Sequence, residues 1–408
     1  METRKKRDIL SIATVPLTMT LANSMLIPVL PAMQRALRIS SLQASWIITA
    51  YAAVAILFIP LAGYLSDRYG RKAVILPSLL LVCAAGAAAG FAAISGSPNA
   101  YGFILGARLL QGLGSAGCFP VVLPLVGDLF KKDDDVSQGL GLIETSNTFG
   151  KVVSPILGSA LAMWTWYAPF FAIPAFGVIS FLLVLLFVKP PKGSGSEKPE
   201  RTGLGEFLRS VAKLIRTEGK WLYGIFAIGG ISMFAIFGSL FYLSETLEQH
   251  GLKSVNKGLV LAIPLGGLCL VAFLSGKWIG KNKAKMKWTS LAGLTISTAA
   301  LLALGLTNRD GIWWTVSMLT LSSSGIGAAL PSLDALITEG IDKSQRGTVT
   351  SLYSSMRFIG VAAGPPVSAL LMGVSSSALF LTAAAAGLVA SLLNLFAIRP
   401  EKKDDAKG

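Results

Sequence analysis

Glu144, Asn147 and Lys151 follow one another at i, i+3 and i+7, a spacing that sets an acid, an amide and an amine on one face of a helix. Pro155 and Gly158 continue the same stripe. A face of this kind is costly against lipid, so it is expected to line a wet internal cavity. Glu144 and Lys151 are separated by about 10 Å along a helix axis, too far to pair without a bound molecule, water or another helix. The chemistry on offer is proton transfer rather than bond making, because a buried carboxyl can load and release a proton near working pH. Glu144 is the expected proton site; the alternative is a fixed ion pair with Lys151 or Arg357. Arg108 and Arg357 each stand about eight residues inside an otherwise apolar run, where a guanidinium needs a partner or a wet cavity. Asp334 lies near the end of another run, with Glu339 beyond it, and Asp128 reads as structural. Three embedded cations against one deep acid suit an anionic or zwitterionic, partly apolar solute.

The elements that must carry these residues follow from composition. Of 408 residues, 53% are hydrophobic and only 14% charged, about half of what a soluble chain needs for its water-facing side. Disordered, collagen-like and disulfide-stapled classes are excluded on the same ground. Apolar runs long enough to cross about 30 Å of hydrocarbon recur at 9–31, 44–66, 73–93, 100–125, 137–162, 166–188, 221–243, 256–277, 289–307, 311–337, 349–373 and 376–398. These predict an all-α membrane protein with twelve spans and exclude a barrel, whose strands are shorter and alternate. With the N-terminus in the cytoplasm, 28 Lys and Arg fall on that side, 5 opposite and 3 inside spans. That bias predicts a multi-pass protein of the cell membrane with both termini cytoplasmic. It also turns the net charge of +15 into a topology signal with affinity for anionic lipids at the cytoplasmic face.

Between Lys189 and Lys220 hydropathy collapses. Pro190-Pro191-Lys192-Gly193-Ser194-Gly195-Ser196 has linker composition, and Glu206 to Lys220 suits an amphipathic helix on the inner membrane surface. The chain therefore divides into an N-terminal six-helix bundle (1–189), a cytoplasmic linker (190–220) and a C-terminal six-helix bundle with a basic tail (221–408). The halves echo each other. Gly150, Ser154-Pro155 and Gly158 in span 5 share a register with Gly360, Gly364-Pro365 and Ser368 in span 11. Gly112-x-Gly114 in span 4 is echoed by Gly325-x-Gly327 in span 10. Duplication of this type implies two bundles related by an axis near the membrane normal, with a cavity between them.

The segment Gly63-Tyr64-Leu65-Ser66-Asp67-Arg68-Tyr69-Gly70-Arg71-Lys72 resembles the span 2–3 loop motif of the major facilitator superfamily. Arg108-Leu109-Leu110-Gln111-Gly112-Leu113-Gly114 resembles its span 4 motif. Gly150-Lys151-Val152-Val153-Ser154-Pro155-Ile156-Leu157-Gly158-Ser159 resembles the span 5 motif of its exporters, with serine at two glycine positions. The sequence as a whole is similar to the twelve-helix drug:proton antiporter branch. The resemblance implies the major facilitator fold and alternating access, with the proton gradient driving solute outward. It implies a conformational latch at Gly63, Asp67, Arg68, Gly70, Arg71 and Lys72, with Asp67 facing the start of span 11. It implies an antiporter-type motif at Gly150, Ser154, Pro155 and Gly158, and a role for Arg108 in proton coupling beside Glu144 and Asp334. Asn23, Gln111, Asn147, Lys151 and Arg357 are the expected substrate cavity. Asn23 stands where the family's acidic first-span residue would be.

The expected partners are a small-molecule substrate and protons, with no nucleic acid, and a monomer is the family default. No cofactor is implied, since no Gly-x-x-x-x-Gly-Lys-[Ser/Thr] run exists. The 3 cysteines have no paired spacing and the single histidine, His250, lies in a loop, which predicts neither a metal site nor a catalytic triad. The reading is a proton-coupled exporter of amphipathic drugs or similar small molecules and not an enzyme. Its rivals are an exporter of a specific anionic or zwitterionic metabolite (a metallophore, sugar or lipid-linked solute) and a non-transporting membrane receptor or scaffold.

Overall fold

The computed structural model describes residues 3–130, 133–189, 219–280, 282–307, 311–341 and 346–398. All regular structure among them is helical. That is what hydrocarbon demands, because a helix satisfies its own backbone N–H and C=O groups where no water can. The linker with its expected surface helix lies outside the described residues except at its end, as do Asn308–Asp310 and the basic tail from Arg399.

The first span is broken. Helix α1 (Thr3–Ser24) gives way to a 3₁₀ turn at Ile27–Val29, and α2 (Leu30–Leu37) completes it. Pro31 supplies no N–H to Ile27 O four residues earlier, so the α-helical ladder stops there. Spans 2 and 3 are α3 (Ser41–Tyr69) and α4 (Arg71–Ile94). A capping box starts α3: Gln43 N donates to Ser40 Oγ at 3.2 Å and Ser40 N to Gln43 Oε1 at 2.9 Å. Span 4 is also broken, into α5 (Ala100–Ala116) and α6 (Phe119–Leu129), and span 6 is α8 (Ala168–Phe187). The second half holds α9 (Lys220–Gln249), α10 (Ser254–Ile279), α11 (Lys283–Leu306), α12 (Ile312–Gly340), α13 (Arg346–Met372) and α14 (Ser376–Ala397).

Eleven of these spans are long and apolar enough to cross a membrane. The twelfth, span 5, is α7 (Asp133–Leu161), whose stripe from Glu144 to Lys151 lowers its hydropathy. It packs on α1 and on α10 of the second half. Large apolar side chains such as Leu57, Phe91, Leu186 and Phe396 are exposed around the periphery, as a lipid-facing surface requires.

The two halves use one packing scheme. In the first, α1 packs on α7 and α8, α3 on α5, and α4 on α5 and α8. In the second, α9 packs on α13 and α14, α10 on α12, and α11 on α12 and α14, the same pairs displaced by six spans. The halves meet through α3 against α13 and α7 against α10, again a matched pair. The small residues of the echoed motifs make these approaches possible. Gly158 abuts the Met25 carbonyl of span 1, and Gly360 abuts the Gly230 carbonyl of span 7, with no room for a Cβ at either. The span 4 and span 10 glycines correspond as pairs but not in the sequence order assigned to them. Gly112 meets span 2 at Tyr51 and Gly114 meets span 3 at Ser78, whereas Gly325 meets span 9 at Gly293 and Gly327 meets span 8 at Leu268.

Helix ends depart from hydropathy where charges find partners. The apolar run of span 7 stops at 243, but α9 continues to Gln249 and carries Glu245 and Glu248.

Candidate functional site

Two separate polar clusters form in the membrane-spanning region. The first is within the N-terminal half. Arg108 of α5 is 0% exposed. Its Nε donates to Ile47 O at 2.9 Å, its Nη1 to Ala22 O at 3.2 Å and to Gln111 Oε1, and its Nη2 to Asn23 Oδ1 at 2.9 Å. The guanidinium lies 4.6 Å from the Tyr51 ring centroid. Neutral acceptors and an aromatic face thus hold a buried cation between spans 1, 2 and 4. Asn23 and Gln111, expected in the substrate cavity, are Arg108's acceptors here. Tyr51 was not singled out from the sequence, where a lone tyrosine in an apolar run carries no signal.

The second cluster spans the interface between the halves. On α7, Asn147 Nδ2 donates to Glu144 Oε1 at 3.2 Å, and Thr20 Oγ1 of α1 donates to Asn147 Oδ1 at 2.6 Å. Lys151, one turn further on, lines a small cavity with Ser24, Met233, Ile236, Phe237, Leu240 and Leu265, an apolar wall built mostly by the second half. From that half, Arg357 of α13 pairs with Asp334 of α12 at 3.8 Å and lies 5.6 Å from the Tyr353 ring centroid. Glu144, Lys151, Asp334 and Arg357 lie within electrostatic reach of one another. The Asp334 side chain is 42% accessible and that of Arg357 18%, so this pair borders open space.

The charge ledger therefore changes. Arg108 stands apart from Glu144 and Asp334, and Asp334 joins Arg357, so three cations and one acid become two of each. A balanced site takes a zwitterion directly, and an anion once one carboxyl is protonated. Cys269 of α10 lies within the same field, and Cys83, Cys118 and Cys269 are free thiols.

The span 5 motif sits between spans 1 and 8. Gly150 faces Leu17 and Thr20, Gly158 faces Met25, and Ser154 Oγ donates to Gly150 O at 2.6 Å. On the other side, Gly258 of α10 abuts the Pro155 carbonyl, Ile156 and Ser159. The motif is a close seam between the halves.

At the face where α1 begins and α14 ends, Gly70 adopts φ +96°, a conformation that glycine accepts freely. Arg71 pairs with Asp67, reaches Asp128 Oδ2 at 3.2 Å and donates to Ser66 Oγ at 2.7 Å. Lys72 Nζ donates to Leu185 O at 2.8 Å and Val188 O at 2.7 Å, capping the end of span 6, and Arg68 donates to Tyr64 Oη at 3.2 Å. Gly63 faces Ser351 of α13. The loop thus ties spans 2, 3, 4 and 6 together. The contact expected between Asp67 and the start of span 11 concerns the first side chains of α13, at 346–348, which lie outside the described residues.

A sequence model described as Major Facilitator Superfamily matches residues 12–365 and, again, 287–408. The chain is similar to the bacillibactin exporter of Bacillus subtilis (strain 168), 49% identical over 409 residues and 98% of each chain. It is similar to the multidrug efflux protein YfmO of the same organism, 27% identical over 84% of this chain and 81% of that one. In fold it is similar to the human organic anion transporter MFSD10 (TETRAN), whose crystal structure aligns with a TM-score of 0.74 at 20% identity, over 96% of this chain and 100% of that one. Membership rests on nearly the whole length and implies transport without covalent catalysis: the chain belongs to the major facilitator superfamily, a family of secondary transporters.

Proposed function

We propose that the protein is an exporter of a defined anionic or zwitterionic solute, with bacillibactin the first compound to test. The observation that carries this reading is the charge cluster at the seam, with Glu144 and Lys151 from one half and Asp334 and Arg357 from the other. Lys151 and Arg357 offer donors to an acidic group, and the wall at Met233, Ile236, Phe237, Leu240 and Leu265 takes an apolar body. Glu144 and Asp334 carry the proton that couples export to the inward gradient. Rocking of the halves about the α3–α13 and α7–α10 seams exposes this cluster to each side in turn. The 49% identity to a bacillibactin exporter over 98% of both chains supports a solute of that kind. The basic bias of the loops supports cytoplasmic termini in the cell membrane, and the outward direction is supported by the similarity to exporters.

The test is reconstitution into proteoliposomes, with internal pH followed as bacillibactin is added. A proton flux with bacillibactin and none with cationic dyes is expected. Fluxes with cationic dyes alone would overturn the reading in favour of drug:proton antiport. That second reading is supported by the apolar wall beside Lys151 and by the similarity to a multidrug efflux protein.

A further inference from the structure

At the face opposite the termini, which the basic bias makes the outer one, a second set of charges is buried and plays no part in the central cluster. Lys257 of α10 is 2% exposed. Its Nζ donates to Pro28 O at 2.8 Å and to Glu248 Oε2 at 3.0 Å. Pro28 lies in the 3₁₀ turn that breaks span 1, so a lysine of the second half reads a backbone carbonyl of the first. Ser244 Oγ of α9 donates to Ile27 O at 2.9 Å in the same turn. The turn thus offers carbonyls to the opposite half at the place where Pro31 interrupts the helix. Two further bonds cross the seam beside it: Arg35 Nη2 to Glu248 Oε1 at 2.6 Å, and Gln34 Nε2 to Glu245 Oε1.

We propose that Lys257 is the positioning residue of an outer gate: its ammonium clamps the broken turn of span 1 to spans 7 and 8, and opening the outer face requires its release. The physical reason is desolvation. A buried ammonium that loses Pro28 O and Glu248 without water costs more than the bonds return, so the gate is held shut or fully opened to water and does not rest between. When the halves part, Glu248 and Lys257 become hydrated together, while Arg35 is exposed already, which makes the clamp two-state. The glycine seam at Gly258, one residue from Lys257, brings α10 against α7 closely enough for the reach. The gate operates whatever the solute, so it stands or falls separately from the proposed substrate.

The test uses the full chain in liposomes, with Cys83, Cys118 and Cys269 replaced by alanine and a reporter cysteine at Leu240→Cys. Leu240 is buried five residues, about 8 Å, below Glu245 on the way to Lys151. Lys257→Met is expected to raise labelling by a membrane-impermeant maleimide from the outer face by about tenfold or more, and to lower labelling from the inner face. Unchanged outer labelling in folded protein would overturn the proposal, and so would a rise from both faces, which is the mark of general loosening. If Lys257→Met fails to fold, the Ser244→Ala, Glu248→Gln double variant carries the same expectation and the same refutation.

Discussion

The charged side chains in the membrane-spanning region solve burial in two different ways, and the difference decides what each substitution should do. Arg108 is closed off, donating to two backbone carbonyls and two side-chain amides. Its role in this state is to bind spans 1, 2 and 4 into one unit. Arg108→Lys keeps the charge but cannot reach Ile47, Ala22, Asn23 and Gln111 at once, so it should cost about 2 kcal/mol, read as a lowered melting temperature in detergent. Lys151 instead lines a small cavity at the seam and Arg357 pairs with the partly accessible Asp334, where a charge is available to a solute. Lys151→Met should leave the melting temperature near that of the parent and weaken solute binding by about tenfold, checked by equilibrium binding to purified protein. Glu144→Gln should abolish proton-driven net transport yet spare solute exchange in preloaded vesicles, because only loading of the proton is lost. Undiminished proton-driven transport by that variant would place the coupling carboxyl elsewhere, with Asp334 next in line.

Helices in this chain are positioned by what is missing from their surfaces. Gly158 on Met25 and Gly360 on Gly230 each press one helix against a backbone carbonyl of another with no room for a Cβ, so their alanine variants should fail alike. Each should lose about 1–3 kcal/mol by thermal unfolding, since the added methyl meets backbone that has no side chain to move aside. Gly141, on the same helix as Gly158, has open space around it, and Gly141→Ala should be neutral or slightly stabilising through helix propensity. A comparable loss at Gly141 would show that propensity, and not close packing, governs these positions. Polar breaks matter as much as close approaches. The turn at Ile27–Val29 turns span 1 from a plain crossing helix into one that offers carbonyls to the other half.

For the molecule as a whole, the pairing scheme is shared by the two halves, and the rocking proposed above would run along the seams α3–α13 and α7–α10. Thr49 Oγ1 donates to Ala362 O at 2.6 Å across the first seam. Thr49→Cys with Ala362→Cys, joined by a short thiol cross-linker, should arrest transport, and a cleavable linker should restore it on reduction. Transport that continues in fully cross-linked protein would mean that this seam does not open in the cycle.

The sequence alone determined the class of fold and most of its parts list: twelve crossings, their basic-rich side, the duplication, and the polar stripe on span 5. These are legible because hydrocarbon imposes one rule on every residue of a span, and a rule applied residue by residue leaves its trace in composition and spacing. What only the tertiary structure decided was partnership. Arg108 and Arg357 look alike in sequence, each a lone arginine eight residues into an apolar run, yet one is sealed among amides and the other shares the seam with Asp334. Asn23 and Gln111 turned out to serve Arg108, and Glu245, Glu248 and Lys257, which hydropathy assigns to a loop or its margin, bond across to span 1. A charge's role depends on which other helix faces it, and those helices hold residues as far apart as Arg108 and Ile47, Arg108 and Asn23, or Lys257 and Pro28, beyond any local pattern.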